Sequence, residues 1–244
     1  MSTDPTVLLT QRITTAAQRV DFEIEVYGQI KHWPLIALTR NAKFTSDKTK
    51  HIYLSSGIHG DEPAGPLTLC QLLKENSLPR HHHYTIFPVL NPAGLLLNTR
   101  ENSDGCDLNR DYDHPSSEEI RFHTKWIDAN IQSIDIGIHL HEDWESAGFY
   151  LYEVNFHQHK TYGEAMLKAT ARHIPTDTAT EIDGRPAANG MIRPDHIPED
   201  LDGLPEALYL LKKFNCLNYT LETPSSLPIE KRIRAMKSAL MVLL

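Results

Sequence analysis

The chain has 244 residues, a formal net charge of −8 and three cysteines, Cys70, Cys106 and Cys216. That length buries a sizeable core without disulfides, and an odd, widely spaced set of cysteines suits a reducing compartment better than a secreted disulfide framework. The acidic balance excludes a general nucleic-acid binder, no apolar run is long enough to cross a bilayer, and no basic leader precedes an apolar core. The expectation is therefore a cytoplasmic protein with neither nucleic-acid nor membrane partners.

Residues 6–19 place Leu8, Leu9, Ile13 and Ala16 at helical spacing. From Asp21 to Leu38 the period falls to two, with Phe22, Ile24 and Val26 alternating with charges, then Gly28 and a second apolar run at 35–38; this predicts an antiparallel pair at a sheet edge. The stretch IYLSSGIHGDEPAG at 52–65 reads as strand, tight loop and helix start, with His59 and Glu62 on the loop. Imidazole and carboxylate three positions apart form a mixed N/O set that suits zinc. Equally, Asp61 and Glu62 would complement the positive start of the helix predicted over 63–76, leaving His59 an exposed loop residue.

His81, His82 and His83 read as a surface loop running into a strand at 84–90, which stops at Asn91-Pro92. Residues 95–114 then form a long irregular stretch that carries Arg100, Asn102, Asp107, Asn109 and Arg110, and such loops are usually functional. Ser116-Ser117-Glu118-Glu119 starts a helix that runs to about residue 131. A buried strand, SIDIGIHL at 133–140, ends in His141-Glu142-Asp143. A strand at 149–154, a helix at 162–173 and a Pro/Gly/Asp-rich loop at 175–203 that could cover a cleft come next. A helix at 205–214, a strand at 216–221 ending in Glu222-Thr223-Pro224, and a closing amphipathic helix at 228–243 complete the chain. The alternation predicts an α/β fold: a mixed, mostly parallel twisted sheet with helices on both faces. Without a repeat or linker, residues 1–244 are expected to form one domain, residues 1–45 included.

In open α/β sheets, ligands bind beyond the carboxyl ends of the strands. Four predicted strands deliver polar residues at that kind of end: His59 and Glu62, Asn91 with the arginine-bearing loop, His141, and Glu222. This convergence favours a metal site, with the third ligand supplied from a distant part of the chain.

HGDEPAG at 59–65, NPAG at 91–94, TREN at 99–102, DLNR at 107–110, a histidine at one strand end and a glutamate at the last occur in that order. The set resembles the zinc metallocarboxypeptidase family over roughly residues 50–225. It is most similar to the branch of murein-peptide amidases and cytosolic carboxypeptidases, and in part to the aspartoacylase and succinylglutamate desuccinylase branch. The resemblance implies that His59, Glu62 and His141 hold one Zn2+ ion, leaving a position for water. It further implies Glu222 as general base, Arg100 as the group that polarises the carbonyl, and Asn109 with Arg110 as the contacts of a terminal carboxylate. Asp107 would hydrogen-bond the first histidine ligand. Outside the resemblance, Glu222 could equally be a strand-end carboxylate satisfied by a helix, Arg100 an ordinary loop arginine and Asp107 a turn aspartate.

One departure stands out: close relatives tend to have Asp-Leu-His where this chain has His139-Leu140-His141. Alternate strand residues share a face, so His139 and Asp143 point the same way as His141, and a second metal follows if both take part. His141 is expected to be the ligand and His139 its neighbour. The loop 175–203 contains no tyrosine that could close over a substrate, which leaves Tyr209 as a candidate. The expected activity is zinc-dependent cleavage of a C-terminal amide bond in a small peptide. An N-acyl amino acid deacylase and a non-catalytic peptide-binding relative are the alternatives, and the partner is a peptide or acyl-amino acid with a free carboxylate. Only 22 residues follow Glu222 (244 − 222) and they read as one helix, which favours the peptidase.

Overall fold

The computed structural model describes residues 3–198 and 201–243. The chain opens with helix α1 (Pro5–Arg19), capped by Asp4, and an antiparallel pair β1 (Glu23–Ile30) and β2 (Trp33–Arg40). Strand β3 (His51–Ser56), helix α2 (Ala64–Lys74), strand β4 (His83–Phe87) and a short helix α3 (Pro92–Leu97) follow. A single 3-10 turn at Leu108–Arg110 precedes helix α4 (Glu118–Asn130), strand β5 (Ile136–Asp143) and strand β6 (Tyr150–Val154). After helix α5 (Gly163–Thr170) come a two-residue hairpin, β7 (Glu181–Ile182) with β8 (Arg185–Pro186), and β9 (Met191–Ile192). Helix α6 (Glu206–Phe214), strand β10 (Leu217–Pro224) and helix α7 (Ile229–Leu243) end the described chain.

Eight strands form one sheet in the order β1-β2-β4-β3-β5-β10-β6-β9. Its centre, β4, β3, β5 and β10, is parallel, and antiparallel or two-residue strands flank it. This is the mixed, mostly parallel sheet that the alternation of patterns predicts. Its two faces carry separate apolar layers. Ile52, Leu54, Ile138 and Leu140 face α1, α2, α5 and α7, while Tyr53 and Phe87 face α4 and α6. Strand residues alternate between the layers because successive side chains point to opposite sides. Among the described residues, no helix is long and apolar enough to cross a membrane.

Several boundaries differ from the sequence-based expectation. The stretch 95–114 starts inside α3 and contains the 3-10 turn, since Asn91 Oδ1 accepts the Gly94 amide at 2.8 Å and nucleates a helix there. Strands β5 and β10 continue through His141 and Glu222 rather than stopping before them, because each supplies the other's ladder as far as Asp143 and Pro224. The loop 175–203 contains the β7–β8 hairpin and adds β9 to the sheet edge; residues 199 and 200 lie outside the described set. His82 is buried rather than on a surface loop, and its Nδ1 accepts the Lys50 amide at 3.0 Å.

Candidate metal centre

Strand β3 ends at Ser56, and the chain turns through Gly57 at φ 61° into the loop that holds His59 and Glu62. That loop is stitched to the segment after β4: Leu90 and Asn91 donate to the Ser56 and Gly57 carbonyls at 3.2 and 2.7 Å, and Gly60 donates to Thr99 at 2.9 Å. From the other side, Glu142 of β5 accepts the Ala64 amide at 2.6 Å and is paired with Arg232 of α7. The start of α2 is therefore fixed to the strand that carries His141.

Three buried side chains meet here. Glu62 Oε1 lies 2.6 Å from His59 Nδ1, and Glu62 Oε2 lies 3.0 Å from His141 Nδ1. Ligand atoms of His59, Glu62 and His141 all fall within 4.8 Å of one another, and no other group of three metal-competent residues does so among the described residues. Burial pushes the Glu62 carboxyl up, but the two histidines outweigh it and hold it at about 2. A zinc ion fits this set: two imidazoles and a carboxylate suit it, and the buried Glu62 Oε2, turned toward His141, makes no aligned hydrogen bond.

The remaining sequence-predicted residues surround the cluster unevenly. Asp107 Oδ1 is 3.4 Å from His59 Nε2, and Asp107 Oδ2 accepts from Arg100 Nε and Nη2 at 3.0 Å each. Burial raises the Asp107 carboxyl, yet His59 and Arg100 hold it far below the usual carboxylate range. Arg100 Nη1 reaches to 3.3 Å from His59 Nδ1 and 3.9 Å from Glu62 Oε1, beside the cluster. Glu222 pairs with His141 across β10 and β5, so both side chains leave the same face of adjacent strands. Burial, then the charges of Glu62, Asp143 and Asp183, push its carboxyl well above the ordinary value against the pull of Arg100. Asn109 and Arg110 lie on the 3-10 turn. Asn109 Oδ1 accepts the Glu206 amide at 3.0 Å, and the exposed Arg110 donates to the Asn109 carbonyl at 2.9 Å.

His139 shares the face of His141 but turns to other partners. Its Nδ1 is 2.9 Å from Glu206 Oε2 and its Nε2 is 3.2 Å from Asn218 Oδ1. Tyr209 packs on Tyr112 and reaches Asp128 on α4, away from the cluster. The aromatic groups beside Glu222 are on β6 instead: Tyr150 pairs with Glu222 and donates to Asp143 at 3.0 Å, while Tyr152 donates to Asp183 of the hairpin turn at 2.6 Å. Sequence reasoning missed both, although a tyrosine pair with period two on a predicted strand was a signal; the register that sets them beside Glu222 was not readable.

A mostly parallel α/β sheet with a buried His, Glu, His cluster at its carboxyl edge combines a carboxypeptidase-like fold with a candidate metal site. Comparison with known proteins sharpens this. Residues 48–189 match the succinylglutamate desuccinylase/aspartoacylase catalytic domain, and the chain belongs to that family. It is 33% identical over 91 residues to a succinylglutamate desuccinylase from Shewanella denitrificans, covering 34% of this chain and 25% of that protein. Over 75 residues it is 35% identical to murein peptide amidase A of Escherichia coli, covering 30% of each. The matching segments thus span less than a third of either relative. Among solved structures, a candidate metallopeptidase from Shewanella denitrificans superposes with a TM-score of 0.84 at 20% identity, over 98% of this chain and 89% of that one. A metallo-carboxypeptidase from Pseudomonas aeruginosa gives a TM-score of 0.69 at 16% identity, over 96% and 67%. Likeness at such identity speaks for the fold.

Proposed function

We propose that the protein is a zinc-dependent hydrolase that cleaves the C-terminal amide bond of a small peptide, the bond next to a free carboxylate. The observation that carries this reading is the convergence of His59, Glu62 and His141 with Glu222 on the neighbouring strand. Bound zinc supplies Lewis acidity and brings the pKa of its water toward about 7. Glu222 takes the proton of the attacking water and hands it to the leaving amine; its raised affinity for protons suits both halves of that transfer. Arg100, tethered by Asp107, donates to the oxygen on which negative charge develops. Asp107 holds the outer nitrogen of His59 and so fixes that ring. Asn109 and Arg110 receive the substrate carboxylate, for which a guanidinium fork is geometrically matched.

A second reading is favoured by the family match itself: the leaving amine is then an amino acid released from an N-acyl group, by the same chemistry. The zinc-loaded protein, offered matched panels of short peptides, muropeptides and N-acyl amino acids, each with a free and an amidated C-terminus, decides between them. Turnover of free-carboxylate peptides supports the first reading, and turnover confined to acyl-amino acids supports the second. Equal turnover of amidated substrates removes the carboxylate contact from both.

A further inference from the structure

Beneath the metal centre lies a second buried polar cluster that the reaction above does not use. Its hub is Glu206, the first residue of α6 and 1% exposed. Glu206 Oε1 accepts from Tyr53 at 2.5 Å, and Oε2 accepts from Ser55 at 2.7 Å and His139 at 2.9 Å. Tyr53 also accepts from His123 Nε2 at 2.9 Å, and the other nitrogen of that ring accepts from Tyr112 at 2.8 Å. Burying a carboxylate is costly unless donors surround it, and here three donors from β3 and β5 do. The start of α6 is thereby fastened to the centre of the sheet.

The same residue faces the loop that carries Asn109 and Arg110. Helix α6 has no capping side chain of its own; the Glu206 amide donates to Asn109 Oδ1 at 3.0 Å. Leu204 and Tyr112 add backbone bonds at 3.0 Å to Arg110 and 3.3 Å to Leu204, zipping 110–112 to 204. Gly203 closes the seam at φ 81°, where a Cβ would press on the Arg110 carbonyl. With Oδ1 committed, Asn109 Nδ2 has no partner among the described residues and is the end left to donate.

We propose that Glu206 is a positioning residue: anchored by Tyr53, Ser55 and His139, it holds the Asn109 amide in the orientation that binds the substrate carboxylate. This rests on the reading of Asn109 as a carboxylate contact. In that role His139 serves as a fastener for the binding loop and not as a ligand.

The test combines Glu206→Gln, which keeps the shape but turns one amide donor toward the three donors, with Gly203→Ala, which strains the seam from the surface. Both are compared with the wild type by hydrogen exchange and by kinetics on one substrate with a free and with an amidated C-terminus. Exchange over residues 107–112 should quicken roughly tenfold in each variant. For the free-carboxylate substrate, KM should rise roughly tenfold with kcat held, as expected when one hydrogen bond to a charged group is weakened; the amidated substrate should be unaffected. A merely structural role would lower kcat on both substrates together, which overturns the proposal, as does unchanged exchange over 107–112 in either folded variant. If quickened exchange leaves KM for the carboxylate unchanged in an enzyme that prefers it, positioning is refuted. Should the wild type itself ignore the carboxylate, the reading of the site fails, and the exchange measurement alone decides whether Glu206 clamps the loop.

Discussion

Gly60 lies between His59 and Glu62 and offers the sharpest test of how the candidate metal centre is built. A Cβ at this position would meet Gly94 C, Gly94 O and Leu95 N, all backbone, and would fall more than about 1 Å short of the 3.4 Å at which ordinary contact begins. No side chain can swing aside, so either the loop 57–62 or the start of α3 has to move by that order. The loop cannot move freely, since Gly60 donates to Thr99 and Asn91 donates to Gly57. Metal–ligand distances tolerate only about 0.2 Å, several times less than the required shift. Gly60→Ala should therefore weaken zinc binding at least about 100-fold, more than the loss of an outer-shell partner alone. The overpacking should cost roughly 1–3 kcal/mol of stability while leaving the sheet formed. Competition for zinc against a chromophoric chelator measures the first effect, and urea unfolding of the metal-free protein measures the second. A folded Gly60→Ala protein with wild-type zinc affinity would refute the argument that close backbone packing of the two loops sets the ligand geometry.

Glu222→Gln should lower kcat by roughly 10²–10⁴-fold, the usual share of a general base, with zinc content unchanged by metal analysis; unchanged turnover removes Glu222 from the reaction. Asp107→Asn should weaken zinc binding by about 10–100-fold and loosen Arg100 together with it, and an unaltered chelator titration would count against its hold on His59 Nε2. His82 and His123 are each held neutral, burial pushing them down to about 4 from an ordinary 6.5. The unfolded chain takes up these protons first, so the stability they contribute is complete above about pH 6.5 and fades as pH falls toward about 4. The unfolding free energy from urea titrations between pH 7.5 and 5 should fall by an amount on the order of 1–2 kcal/mol per histidine; a flat profile contradicts the assignment.

Much of this was legible because local chemistry and fold agree. The apolar periods at 6–19, 52–57 and 133–140 are set by burial on one or two faces, and the structure forms helix and strands there. The clustering of these three residues was readable because His59 and Glu62 are neighbours in sequence and His141 ends an apolar run. What was hidden depends on contacts between distant segments. Nothing near Glu206 announces a buried carboxylate: it is the first acidic residue of an amphipathic helix, a position that ordinarily faces water and complements the helix dipole. His82 likewise looks like one of three loop histidines until the Lys50 amide is seen to need its ring.

His139 and His141 show how register converts one strand into two environments. Both leave the same face of β5, yet strand β3 pairs with β5 only from Ile52–Ile136 to Ser56–Leu140. At the level of His139 the neighbour is Ser55, the sheet is closed, and α6 covers it, so the ring is consumed by Glu206 and Asn218. One step past the last pair, His141 has no β3 residue beside it, and the chain that would have been β3 has become the loop delivering His59 and Glu62. On the other side β10 continues to Pro224, so Glu222 is still held opposite His141. The centre therefore forms where one neighbouring strand stops and the other runs on. By this argument it is His141 and not His139 that meets His59 and Glu62 because of where β3 ends, since the loop that carries them can approach β5 only beyond that point.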